Sequence, residues 1–548
     1  MKAFKFSSRV KPATVNTSDA TLRDFSGGLK VIENQAALTS KFSVVQTNML
    51  SEEDNSIAVR FGTKQFGTTI AGKTLNAVYF QNHIIVVKND GKIYKVTNLG
   101  VATVIWNTAI AAALVPPAAA WSTGLTIVDI TDMRGELIVT NGVDKPLLIK
   151  SDLTVKYLQD IPSGSNVFTP ITKFVTTVSN YVVMAGFGTS DEVFVSATGA
   201  GGTWVGDPAP NDAMSFRVGA YTGQSGKLIT AIASFRKFLL IFFIDSLVVF
   251  ELGTITAGVH SAKFVDVFSS LGTFNHKTLM TTDSDLIFFN RTGVWSAQKN
   301  VFGGTLESSV ITDNLGVDYS KATANVATTD LDSFIGNDPL SKTLFIFIAQ
   351  ATGLAKIFAA TYRKDFSRFA WAKITDWDFD NVVTTEANRV IFFKNDKAWQ
   401  YGNAVFANEN YTADYITTIS LGVDINFDWE LPWTDTNNKA MTKKLVLVLL
   451  DTLGTSTFFM SCFVDGFYKL VDGTTYDPAL MIEFVAGETG GYGTPSEGYG
   501  GGRRANDERF FGMPVKFKII KLRFSGATKK PLRISSITMV YVKGNYKR

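Results

Sequence analysis

One pattern limits the fold of this chain more than any other. Between residues 75 and 402 a polar turn, an apolar strand, a second turn and a second apolar strand recur at nearly constant spacing. The first instance runs from His83 through apolar residues 84–87, the turn Asn89-Asp90-Gly91 and the apolar run 93–96. Asn-Asp-Gly between alternating apolar runs signals a hairpin, because Gly adopts the positive φ that a tight turn needs. Six further instances centre on residues 137–139 and 147–149, 181–184 and 193–195, 238–243 and 247–250, 286–289 and 294–295, 344–347 and 356–358, and 390–393 and 398–399. Their opening turns stand at 83, 134, 180, 236, 284, 341 and 388, so the intervals are 51, 46, 56, 48, 57 and 47 residues. A period of about 50 residues suits one four-stranded β-propeller blade. Strands apolar on both faces suit it too, since each blade is covered by its neighbours. Unrelated hairpins in two β-sandwiches are the alternative, and the evenness of the spacing favours the propeller. The expectation is an all-β chain whose residues 71–410 form a propeller of about six to seven blades. An early strand drawn from residues 56–70 could close the ring by pairing with the last blade.

Composition agrees with this class. The 548 residues exceed one ordinary core, which predicts two or three domains. Phe occurs 43 times and Gly 45 times, the first suited to strands and the second to turns. From about Thr412 the repeat stops, and Asp428-Trp429-Glu430-Leu431-Pro432-Trp433 reads as the entry to a new domain. Apolar runs at 444–450, 458–463, 515–524 and 534–542 predict a β-sandwich or jelly-roll-like domain over 411–548. Within it, 487–504 reads as a flexible Gly-rich loop that carries Gly490, Gly491, Tyr492, Tyr499, Arg503 and Arg504. Such a loop is either a solvated surface segment or a gating tip that touches a partner protein or DNA. Residues 1–70 are left as an N-terminal arm and platform segment.

Candidate chemistry is sparse. The formal charge of +4, from 53 basic and 49 acidic residues, argues against a surface that grips nucleic acid all over. Basic residues cluster only locally, at Lys2 to Lys11, Lys443-Lys444, Lys529-Lys530 and Lys543 to Arg548, and the terminal clusters are read as solvated tails. A single cysteine, Cys462, allows no intrachain disulfide. With only His83, His260 and His276 beside it, no metal-ligand spacing arises, and His83 and His276 are read as turn histidines. The N-terminus shows no apolar segment after its first lysines, so no signal peptide is expected. The apolar run 238–244 is too short to span a bilayer, and a soluble protein made in a cytoplasm is expected. Ser196-Ala197-Thr198-Gly199-Ala200-Gly201-Gly202-Thr203-Trp204 resembles the Asp-box turn of sialidase-like propellers, with Thr198 where that turn has Asp. It is read as a structural blade turn, since sugar cleavage needs two carboxylates facing across a cleft. Gly199 to Gly202 also lacks the Lys-Ser/Thr of a phosphate loop. No catalytic, cofactor-binding or metal residue is assigned, no cofactor is expected, and the chain is read as not an enzyme.

The N-terminal entry carries the one specific resemblance. Phe25-Ser26-Gly27-Gly28-Leu29, then Asn48, then Arg60-Phe61-Gly62-Thr63 resembles the start of tail nozzle (tail tubular B-type) proteins of short-tailed bacteriophages. The match covers about 40 residues and is architectural beyond them. The resemblance implies a structural virion protein assembled in a bacterial cytoplasm and found in the tail. It implies a homohexameric ring that continues and gates the DNA ejection channel below the portal and its adaptor. Expected partners are further copies of the chain, the adaptor, tail fibres or a needle, and double-stranded DNA passing transiently through the lumen, without stable membrane insertion. Phe25, Gly27, Gly28, Leu29, Asn48, Arg60, Gly62 and Thr63 would belong to the platform facing the adaptor. The alternatives are a carbohydrate-binding or glycan-cleaving propeller protein, and a generic propeller scaffold for protein interactions.

Overall fold

The computed structural model describes residues 17–31, 38–114, 119–158, 170–197, 213–222, 227–252, 262–282, 285–299, 306–326, 330–363, 368–402, 423–436, 441–454, 457–464, 482–485, 505–510, 516–529 and 532–544. They divide into two compact units. One comprises residues 1–61, 370–373 and 422–548; the other comprises 62–369 and 374–421.

The larger unit is the propeller. Five consecutive four-stranded antiparallel sheets form blades one to five: Thr74–Phe80 to Ala102–Trp106, Asp129–Met133 to Val155–Tyr157, Phe174–Val178 to Met214–Arg217, Ala231–Phe235 to Ala262–Ser269, and Leu279–Thr281 to Leu306–Val310. An array of strands follows, among them Phe334–Asp338, Thr343–Ile348 and Lys356–Tyr362. The closing blade is Asn381–Thr384, Val390–Lys394 and Lys397–Tyr401, and its fourth strand is Thr63–Gln65, from the start of the chain. The first strands of successive blades pack against one another, and that of the closing blade packs against that of blade one, so the ring is complete. All seven hairpins expected from the sequence are the second and third strands of their blades or of the array. Their apolar faces meet between blades: Phe345, Phe347, Trp377, Phe379 and Phe392 pack as one aromatic group where the array meets the closing blade. This explains the abundance of Phe.

The smaller unit is a sandwich built from both parts of the chain outside the propeller. In one sheet Leu532–Lys543 lies between Lys443–Gly454 on one side and Thr17–Leu22 with Ile57–Val59 on the other. In the other, Val45–Thr47 pairs with Ile425–Glu430, which pairs with Ile520–Thr528, and that strand pairs with Thr457–Val464. Side chains from both sheets, among them Met49, Leu450, Ile537, Trp429, Met460 and Phe524, share one core. The boundaries expected at 70 and 410 set apart an N-terminal platform and a C-terminal sandwich, whereas here the two stretches fold as one body. The reason is strand pairing across the whole chain length, which no local pattern reports. In the basic pair Lys443-Lys444, Lys443 is buried and its Nζ donates to the carbonyls of Asp435 and Lys518.

Candidate functional site

Two arrangements stand out, one at the propeller axis and one at the entry segment. At the axis, the inner strands begin next to Lys73, Val128, Lys173, Thr230, Thr278, Ser333 and Asp380, one from each blade or the array. A 3-10 turn, His276–Thr278, reaches across this mouth from the start of blade five. Asn275 caps the turn, its Oδ1 accepting from Lys277 N–H, while its Nδ2 donates to the carbonyls of Asp330 and Ser333, both 3.1 Å away. His276 Nε2 lies 2.8 Å from the carbonyl of Val128, before blade two, and its ring packs on Phe174 of blade three. Lys277 Nζ donates to the carbonyl of Asp380, before the closing blade. One turn of blade five therefore binds three distant parts of the ring. Because a carbonyl only accepts, Nε2 carries the proton, and burial pushes the His276 imidazole down to about 3, so it is neutral at physiological pH.

Ion pairs stand beside this turn. Lys73 pairs with Asp332 at 2.6 Å, and Lys394 bridges Asp378 and Asp380 at 3.1 and 2.9 Å. Burial lowers Lys277 to about 8, against the opposing attraction of Asp332 and Asp380. Burial also raises the Asp330 carboxyl. Lysines and carboxylates here pair with one another, and the turn at 276–278 ties separate blades together. Among the described residues no group of three or more His, Cys, Asp or Glu is placed to hold a metal ion.

Most residues of the entry motif are buried. Phe25 is 1% exposed and packs edge-on against Trp429, and Ser51 Oγ donates to its carbonyl at 2.7 Å. Gly28 has φ +67°, and a Cβ there would lie 2.4 Å from the backbone nitrogen of Trp371. Only Gly fits that approach. Leu29 is buried, and Gly28-Leu29 pairs in parallel with Phe42-Ser43; Gly27 N–H donates to the Lys41 carbonyl. Asn48, at φ +54°, donates through Nδ2 to the Asn426 carbonyl and accepts through Oδ1 from Arg60 Nε at 2.9 Å. Arg60, 2% exposed, also donates to the carbonyl of Phe61. Phe25, Gly27, Gly28, Leu29, Asn48 and Arg60 thus lie in the sandwich unit, whereas Gly62 and Thr63 start the closing strand of the propeller, with Gly62 accepting from Gly402 N–H.

Gly490, Gly491, Tyr492, Tyr499, Arg503 and Arg504 lie outside the described residues. In the Asp-box-like stretch, Ser196 is buried and its Oγ accepts from Val182 N–H, which ties a blade-three turn to its neighbouring strand. His83 Nδ1 lies 2.7 Å from the Gln81 carbonyl within its own turn. The brace at Asn275 to Lys277 was missed by sequence reasoning. Its one local signal is the capping pair Asn275 and Thr278.

No family model matches the chain, and no curated protein matches it. Among solved structures it is similar to streptogramin B lyase, with 11% identity over 62% of this chain and 97% of that one and a TM-score of 0.39. It is also similar to PorZ, a surface component of the type-IX secretion system of Porphyromonas gingivalis, with 13% identity over 67% of this chain and 42% of that one and a TM-score of 0.36. A chain of the mitotic checkpoint complex shares 10% identity over 62% of this chain and 94% of its own, with a TM-score of 0.38.

Proposed function

We propose that this protein is a structural subunit of a short-tailed phage virion, the nozzle ring that continues and gates the DNA ejection channel below the portal and adaptor. The observation that carries the reading is the entry segment. Phe25, Gly28, Asn48 and Arg60, which help to carry the resemblance to tail nozzle proteins, are all buried within the sandwich unit rather than exposed on a ligand surface. The propeller adds support, because the turn at 276–278 ties blade five to residues that precede blade two and the closing blade. A conduit between copies, not through one propeller, fits that geometry. The test is the mass of the purified protein alone and mixed with the adaptor ring of the same virion. Assembly into a closed ring on the adaptor is expected. A strict monomer that never joins the adaptor overturns the proposal.

A further inference from the structure

Single exposed apolar side chains are ordinary on a protein surface. One sector of the propeller departs from this. Strands alternate in direction within a blade, so each turn from second to third strand lies on the face where the inner strands begin. Each turn from first to second strand lies on the opposite face. In three successive blades the former turns expose an apolar tip: Val143 in blade two at 58%, Phe187 in blade three at 41% and Ile244 in blade four at 46%. Leu228, shortly before the inner strand of blade four, adds another on the same face at 53%. In the same blades the opposite turns are Arg134-Gly135, Ser179-Asn180 and Arg236-Lys237, polar throughout. The apolar tips therefore follow the face, not the blade.

Cations stand among these tips. Lys145 and Arg217 are exposed, and among the described residues neither forms an ion pair. Arg217 ends the outer strand of blade three, which also runs to this face. Nearby carboxylates are engaged within the protein. Asp144 accepts from Ser122 N–H and Oγ at 2.9 and 2.8 Å, and Asp191 from Gly219 N–H at 2.7 Å. Asp245 pairs with Lys227 at 2.7 Å. Glu192 stands opposite Arg217 in the ladder but forms no ion pair with it. Phe187 and Arg217 both line an open hollow of about 790 Å³, with Ser190, Asp191 and Gly219 among its other walls. It is large enough for a small-molecule ligand. It offers an apolar ring and a guanidinium together, which suits a molecule that joins an acyl chain to a phosphate. Tips on separate blades of one face can meet a flat lipid surface together, whereas a protein partner would need a matching recess for each.

We propose that this face, over blades two to four, docks reversibly on an anionic phospholipid surface: Val143, Phe187, Leu228 and Ile244 enter the headgroup layer, and Lys145 and Arg217 take its phosphates. Such docking is separate from ring assembly and from the adaptor contact. Flotation of the full-length protein with vesicles tests it. Phosphatidylcholine vesicles that contain phosphatidylglycerol should carry the protein up the gradient, and vesicles of phosphatidylcholine alone should carry at least about fivefold less. Phe187→Ser combined with Ile244→Ser should weaken binding at least about tenfold, because two large apolar side chains leave the lipid contact. Arg217→Gln should weaken it about fivefold. Arg236→Asn, on the opposite face, should leave it unchanged. All of these positions are exposed, so each variant should keep the unfolding midpoint of the parent. The proposal is overturned if anionic vesicles float no protein, if both lipids float it equally, or if Arg236→Asn weakens binding as much as Arg217→Gln. It is also overturned if the double tip variant keeps full vesicle binding while the mass of the protein in solution falls, which would make the tips a contact between copies.

Discussion

Asp129, half-buried as a residue, shows how one desolvated carboxyl sets a pH dependence. It opens the inner strand of blade two, where Oδ1 accepts from Ile130 N–H and Oδ2 from Val175 N–H of blade three, both at 2.9 Å. Burial outweighs these two hydrogen bonds and raises its carboxyl to about 7, against 3.8 for the free side chain. The folded protein therefore holds a proton that the unfolded chain has released throughout the interval from about pH 4 to about pH 7. Its contribution to stability is complete below that interval, falls as pH rises through it, and is constant above. Asp129→Asn isolates the effect. The amide cannot accept from both N–H groups, so the variant should be less stable by about 1–3 kcal/mol at pH 4. By pH 8 the native carboxylate bears a burial cost on the order of 2–4 kcal/mol that the amide lacks, and the deficit should shrink or reverse. Thermal unfolding midpoints of both proteins from pH 4 to 8 read this directly. A gap that does not change with pH would mean that Asp129 is not held protonated by the fold.

At the scale of elements, the blades were legible because their signals are local. Apolar alternation and turn residues lie within a few positions of each other, so all seven hairpins could be read from the chain. Even there the turns hold a surprise for a Gly-and-Asn rule: Arg134, Arg236 and Lys342 take positive φ at their hairpins. A device at the blade edges also escaped notice. Asn76, Asp129 and Asn381 on inner strands and Asp266 on an outer strand each accept from the N–H of the next residue. Inner and outer strands are the edges of a blade, and a side chain that occupies an outward N–H blunts that edge against further pairing. Asn76 and Asn381 use the same amide to donate onward, to the Val128 and Leu75 carbonyls of the next blade. The brace was illegible for a different reason. Asn275, His276 and Lys277 bond to residues 55 to 148 positions away, and nothing near them in the sequence marks those partners. Its weight is testable. Asn275→Ala leaves the carbonyls of Asp330 and Ser333 without that donor and uncaps the turn, and should cost about 2–4 kcal/mol in a denaturant titration. A loss below about 0.5 kcal/mol, typical of a surface substitution, would show that the turn does not brace the ring.

On the scale of the molecule, the two units differ in how far along the chain their contacts reach. Propeller blades are built from neighbouring hairpins, apart from the closing strand. The sandwich pairs Thr17–Leu22 with Leu532–Lys543, and the Thr21 and Thr538 hydroxyls meet across 517 positions of sequence. Long-range pairing of this kind forms late, because the whole intervening chain must be ordered or spanned first. The same fact explains why a platform at one end and a sandwich at the other were expected as separate domains: each end supplies strands that have no local partner. Order of folding follows. A chain that stops at residue 421 retains every strand of blades one to five and the closing strand, but has none of the C-terminal strands against which residues 17–61 pair. In limited proteolysis such a fragment should resist cutting across blades two to four and be cut readily within residues 17–61. Adding the separate fragment 422–548 should restore resistance there, because Leu532–Lys543 and Ile425–Glu430 supply the missing partners for Thr17–Leu22 and Val45–Thr47. If residues 17–61 were protected without the C-terminal fragment, the entry segment at Phe25, Asn48 and Arg60 would be a self-sufficient platform. If the blades themselves were cut as fast as residues 17–61, the propeller would depend on the sandwich for its folding and the two units would form together.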